Sequence, residues 1–211
     1  MTTRNAPAPV DPRLLRRTVL VVAGLNLGYF FVEAAVAVVI GSVSLLADSV
    51  DFLEDTSINL LIALALGWSL SRRALAGHVM ALVILVPAAA AAWQVVSRFG
   101  DPTPPSVWPL VLTAGGAALV NGTCAVILSR VRSHGGSLSA AAFLSARSDV
   151  LVNLAIIAMG VVTVLTRSGW PDLVLGAAIV VVNGSAALEV WRLAGEERFA
   201  ARALAGEDLD D

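Results

Sequence analysis

Lysine is missing altogether: every one of the 14 basic residues is arginine. Cysteine occurs once, at Cys124, which excludes an internal disulfide. Histidine occurs only twice, at His78 and His134, and a lone histidine is more often solvated than a metal ligand. Charged residues are only 14% of the 211, against about 25% in an ordinary soluble domain. The net charge of −2 gives no electrostatic reason to expect a nucleic-acid partner. Apolar residues fill the space, at 57% with 17 glycines besides and a mean hydropathy of +0.82. A soluble globule, a disordered chain and a coiled coil are thereby excluded, and the lipid bilayer is the expected solvent.

A membrane-spanning helix needs about 20 mostly apolar residues. Six stretches qualify: Thr18–Ile40, Val43–Leu70, Leu75–Ser97, Val107–Ser129, Ala140–Leu165 and Leu173–Leu193. The expected fold is an all-α membrane protein, a six-transmembrane-helix bundle. Residues 1–17 read as an N-terminal tail. Residues 18–193 read as one transmembrane domain, and 194–211 as a short acidic tail with no cytoplasmic domain. The first apolar run lacks a small-residue cleavage site and reads as a retained span.

Arginine counting sets the expected orientation. Eleven arginines fall in the tails and even-numbered loops: Arg4, Arg13, Arg16, Arg17, Arg72, Arg73, Arg130, Arg132, Arg192, Arg198 and Arg202. Only Arg98 and Arg167 fall on the opposite side, and Arg147 lies inside a span. Both termini are therefore expected in the cytoplasm of a multi-pass cell-membrane protein. His78 and His134 are expected in cytoplasmic loops. Gly24 and Gly28 form a GxxxG pair, and Ala114, Ala118 and Gly122 a small-residue face, both expected to pack helices together.

Charge inside a span costs at least about 2.5–3.5 kcal/mol per residue on insertion scales, so it needs a reason. The second span carries Asp48, Asp51, Glu54 and Asp55 within eight residues. Asp51, Asp55 and Asn59 recur every fourth residue and share one helix face. The fifth span repeats that spacing with Ser145, Asp149 and Asn153. If the stripes face each other, three carboxylates converge in a medium of low dielectric. They cannot all stay ionised there without a cation or protons. A site that takes either one has the chemistry of a metal/proton exchanger. Asn26, Tyr29 and Glu33 line a face of the first span. Glu33, Asp48, Asn59 and Asn153 are candidates for a proton path or for support of the ligands. Arg147 is about 200° around its helix from the fifth stripe, so Glu54 or Glu33 is its expected partner. Cys124, in an apolar run, is expected to be a packing residue, and Asn121 and Asn183 are expected in hydrogen bonds between helices.

At these residues the chain resembles the cation diffusion facilitator (cation efflux) family of metal-ion/proton antiporters. The resemblance rests on N-x-x-Y-x-x-x-E followed by GSVSLLADSVDFLED, on LVNG in the fourth span, and on AFLSARSDVLVN in the fifth. It covers the transmembrane region only. It implies that Asp51, Asp55, Asp149 and Ser145 bind the transported ion, with Ser145 weak or acting through water. At the Ser145 position the family usually has His or Asp. The resemblance implies a divalent metal cation transporter that exports a transition-metal ion such as Zn, Mn, Fe or Co by alternating access, against protons. Its partners would be that ion, protons and the lipid bilayer, with homodimerisation an open expectation. No resident cofactor and no enzymatic activity are implied. The alternative is a transport-inactive regulatory or structural membrane subunit of the same fold.

Overall fold

The computed structural model describes residues 12–65, 67–131 and 136–205, and all its regular structure there is helical. Six helices follow in order: α1 (Pro12–Ile40), α2 (Val43–Ala65), α3 (Leu70–Arg98), α4 (Val107–Ser129), α5 (Gly136–Thr166) and α6 (Trp170–Ala205). Arg4, Arg132 and His134 lie outside the described residues. Four helical stretches are long and apolar enough to cross a membrane: Pro12–Ile40, Leu75–Arg98, Val107–Ser129 and Ala142–Thr166. α2 has the length, but its four acids remove it from that set. α6 contributes a shorter apolar stretch, Trp170–Asn183.

The second helix ends earlier than its apolar run. Gly67 and Trp68 donate their backbone N–H groups to the Leu64 carbonyl and close a turn. Arg72 and Arg73 therefore open α3 instead of ending α2, and Leu70 belongs to α3. His78 is likewise within α3, not in a loop, with its ring edge-on to Trp191 of α6 at 4.7 Å between centroids.

The chain runs up and down. The turn at Gly41–Ser42, the loop 99–106 and the turn at 167–169 meet at one end of the bundle: Arg98 lies against Gly41, and Gly169 donates its N–H to the Pro102 carbonyl. The start of α1 and the α2–α3 turn are consequently at the other end. α2 is central and packs on α1, α3, α5 and α6, while α4 packs on α1 and α5.

Two apolar cores sit at the two ends. Leu15, Val19, Val22, Ile62, Leu128 and Ala146 are among the residues of one, and Ala37, Leu45, Leu110, Ala114, Ile156 and Ile179 of the other. Between them lies a slab of buried polar residues that includes Asn26, Glu33, Asp48, Asp55, Asn59, Asn121, Asp149 and Asn153. The apolar cores exclude water above and below it, so charges within the slab interact in a low dielectric.

Small residues set the helix spacing, though not all where expected. Gly160 of α5 lies against Leu110 and Val111 of α4, and Ala114 is fully buried. Gly116 of α4 leaves room for the Tyr29 ring, whose hydroxyl donates to the Thr113 carbonyl at 2.6 Å. Gly24 and Gly28 are different. Both are exposed, and a Cβ on either would meet nothing within 4 Å. The GxxxG pair therefore faces out of the bundle and does not pack its own helices. The reason is the polar face of α1: Asn26 and Glu33 turn inward, and the glycines go to the other side.

One buried acid holds the end of the bundle together. Asp172, in the first turn of α6, accepts from Ser42 Oγ at 2.7 Å, Ser44 Oγ at 2.6 Å, Val43 N at 2.7 Å and Ser44 N at 3.2 Å. It caps the N-terminus of α2, where unpaired N–H groups and the helix dipole favour an anion. Gly176 lets α6 approach α2 closely, since a Cβ there would stand 2.8 Å from Ser44 N. Hydrogen bonds to a charged group contribute about 1.5–3 kcal/mol each, and buried donors left unpaired cost about as much again. Asp172→Ala is thus expected to lower stability by about 3 kcal/mol or more, and Asp172→Asn, which keeps an acceptor, by less. Thermal unfolding in detergent is the measurement, and an unchanged midpoint in the alanine variant would refute the tie. In the same assay Gly116→Val is expected to lower the midpoint, because its side chain takes the space of the Tyr29 hydroxyl.

Candidate metal centre

The stripes on α2 and α5 do face each other. The register is set at one contact: the Ser145 hydroxyl donates to Asp55 Oδ1 at 2.9 Å. From α1, Asn26 Nδ2 reaches the second oxygen of the same carboxylate, Asp55 Oδ2, at 3.4 Å. Asp55 therefore joins three helices. Asn26 in turn accepts from the Cys124 thiol of α4 at 3.5 Å. Cys124 is fully buried, within the apolar core next to the polar slab, as its packing role required.

Asp51 and Asp149 share the electrostatic neighbourhood of Asp55, and Asp149 feels Asp48 and Glu54 too. Asp51 is partly accessible, whereas Asp55 and Asp149 are buried. Among the described residues no N–H or O–H donates to the Asp51 or Asp149 carboxylate. The donors expected further along each stripe are turned elsewhere. Asn59 Nδ2 donates to the Asp55 carbonyl at 2.8 Å, and Asn153 Nδ2 to the Asp149 carbonyl at 2.9 Å. Both amides fold back one helical turn, and their Oδ1 atoms receive no hydrogen bond. The two stripes thus match in conformation as well as in spacing.

The centre is rich in carboxylate oxygen but open. Among the described residues, no three His, Cys, Asp or Glu side chains stand close enough to grip a metal ion as they are. To hold an ion there, side chains would have to turn or waters complete a coordination shell. A surface cavity of about 540 Å³ by Met159, Trp170 and Val174 is apolar and away from these carboxylates.

Glu33 and Asp48 form a second group beside the first. Both are buried, and none of their four carboxylate oxygens receives a hydrogen bond. Arg147 is not their partner: it is exposed on the outer side of α5. Glu54 is buried, with Oε1 unpaired. Asn183 donates to the Ala47 carbonyl at 3.1 Å, the interhelical bond expected of it, whereas Asn121 Oδ1 has no donor. Asp172 was not singled out from the sequence. Its partners are some 130 residues away, and its only local signal was an acid at the start of a span.

No curated protein sequence is detectably similar to the chain. The family model described as the cation efflux transmembrane domain matches residues 19–196, which covers α2 to α5, most of α1 and α6, and every carboxylate of the centre. The chain therefore belongs to the cation efflux family of membrane cation transporters.

Proposed function

We propose that the protein exchanges a divalent transition-metal ion for protons, and exports the ion from the cytoplasm by alternating access between α2 and α5. The observation that supports this reading is that Asp51, Asp55 and Asp149 lie within electrostatic reach of one another on two facing helices, with no buried cation among the described residues to neutralise them. Such a group accepts a dication or protons, and each filling displaces the other. Protonating any of the three carboxylates turns a ligand into a neutral group and frees the ion.

Asp51, Asp55 and Asp149 would be the charged ligands. Ser145 is the neutral member. Without the ion its O–H points at Asp55 Oδ1. With the ion on that oxygen, the hydroxyl rotates and offers a lone pair, or holds a water that does. Asn26 keeps Asp55 in place throughout. Asn59 and Asn153 support the two helices rather than the ion. An all-oxygen donor set favours harder ions such as Mn²⁺ or Fe²⁺, and remains compatible with Zn²⁺ completed by water.

Six crossings with both termini in the cytoplasm complete the proposal. The arginines at the start of α1 and at the α2–α3 turn are at one end of the bundle, while Arg98 and Arg167 are at the other. The positive-inside rule then puts the first end in the cytoplasm. α2 crosses despite its acids because its four neighbouring helices shield them from lipid.

Metal-driven proton flux in proteoliposomes is the test, with Mn²⁺, Fe²⁺, Co²⁺, Zn²⁺ and Cd²⁺ each offered alone. Flux with one ion, abolished by Asp55→Ala and by Asp149→Ala, is the expected result. A folded protein that moves no ion of the panel would give the lead to the transport-inactive regulatory reading. The neutral hydroxyl generates a second expectation. Ser145→His adds a borderline-soft nitrogen ligand and should raise Zn²⁺ affinity relative to Mn²⁺ by about tenfold, or 1.4 kcal/mol. Equilibrium binding of the two ions to wild type and variant measures it.

A further inference from the structure

The exchange reading explains three carboxylates and leaves two unexplained. Glu33 on α1 and Asp48 on α2 are 0% and 1% exposed. Where the antiparallel α1 and α2 pack, Asn26 meets Asp55, and seven residues along each helix the same register sets Glu33 opposite Asp48. Two ionised carboxylates present only acceptors to one another, and among the described residues no N–H or O–H makes a hydrogen bond to any of the four oxygens.

The groups around the pair offer no relief. On α1, Tyr29 is the nearest hydroxyl, but it is committed to the Thr113 carbonyl of α4. On α5, the Asn153 amide is beside Asp48; one of its two N–H groups goes to the Asp149 carbonyl, which leaves at most one neutral donor to turn towards Asp48 and none for Glu33. On α2 itself the nearest charged group is Asp51, another acid. Asp149 of α5 adds a further negative charge. From α6, Asn183 is spent on the Ala47 carbonyl. Every charge that faces the pair is negative.

Two buried acids set opposite each other, with no cation to offset them, are stable when a proton lies between them. One proton turns repulsion into a hydrogen bond of the O–H···O⁻ kind, among the strongest that side chains make. We infer that Glu33 and Asp48 form a proton-binding site of their own, distinct from the metal ligands and holding at least one shared proton when no ion is bound. The site is nearer the α1–α2 turn than Asp51 and Asp55 are. Glu33 interacts electrostatically with Asp51. A dication held by Asp51 would therefore be felt at Glu33 and would favour loss of the shared proton. The pair would supply a counter-transported proton without touching the ion. This last step rests on the exchange reading; the shared proton does not.

The two parts are separable in one set of experiments on the purified full chain. Infrared spectra of the metal-free protein at neutral pH should contain a protonated-carboxyl C=O band that is lost or shifted in both Glu33→Gln and Asp48→Asn. Calorimetry of Mn²⁺ or Zn²⁺ binding in two buffers of different ionisation enthalpy then counts protons released per ion. Glu33→Gln should still bind the ion and release about one proton fewer than wild type. A band unchanged in both variants, or none in wild type, overturns the shared proton whatever the ion does. A band that behaves as expected, with an unaltered proton count, overturns the coupling alone. Failure of the wild-type protein to bind any ion would sink the exchange reading, while the infrared result still decides on the pair.

Discussion

Negative charge concentrated in the middle of the bundle is the constraint that the other features answer. α2 carries four acids in eight residues and packs against four other helices. Two unit charges about 6 Å apart repel by roughly 3 kcal/mol at an effective dielectric of 20. A few such pairs equal the whole folding stability of a typical domain, about 5–15 kcal/mol. A buried arginine would cancel the cost, but Arg147, the one arginine within a span, is on the outside of α5. On the proposed reading, mobile positive charge, a metal ion or protons, offsets that cost.

The buried acids differ by how many donors the protein gives them. Asp172 has four hydrogen bonds from α1–α2 residues and needs nothing further. Asp55 has two, from Ser145 and Asn26, both neutral and one of them long. Asp51 and Asp149 receive none, and neither do Glu33 and Asp48. The series runs from a structural anion at the end of the bundle to unsatisfied carboxylates at its centre. Full satisfaction marks a residue that must stay put. Lack of it marks residues whose partners come and go.

The sequence made the helices and the helix faces legible, because hydropathy and spacing are local properties. Six apolar runs became six helices, and the i, i+4, i+8 stripes on α2 and α5 kept their residues on common faces. What faced those stripes was less legible. The GxxxG signal at Gly24 and Gly28 was assigned to internal packing, yet Asn26 and Glu33 claim the inner face of α1 and send the glycines outward. The end of α2 was misread because Gly67 interrupts an apolar run that continues into α3. Asp172 escaped notice because its meaning resides in a contact with the opposite end of the chain. Arg147 was correctly set on a different side of its helix from the stripe, but its pairing with Glu54 or Glu33 was not: it is exposed while both acids are buried.

α1 has a double attachment that connects the two groups of acids. Asn26 holds Asp55 and Glu33 faces Asp48, seven residues apart on each helix. α1 and α2 are also joined by the short turn at Gly41–Ser42, which Asp172 fixes from α6. These two helices therefore keep a common register, and in the proposed exchange the rearrangement that opens or closes the centre would fall between α2 and α5. There the contact identified at the carboxylates is a single hydroxyl, Ser145, that can exchange its role as donor for one as ligand without leaving its place. A histidine or aspartate at that position would bind the ion more firmly or add charge. Serine makes the α2–α5 contact in the ion-free state, and in the proposed exchange it would leave the grip on the ion to carboxylates that protons can switch off.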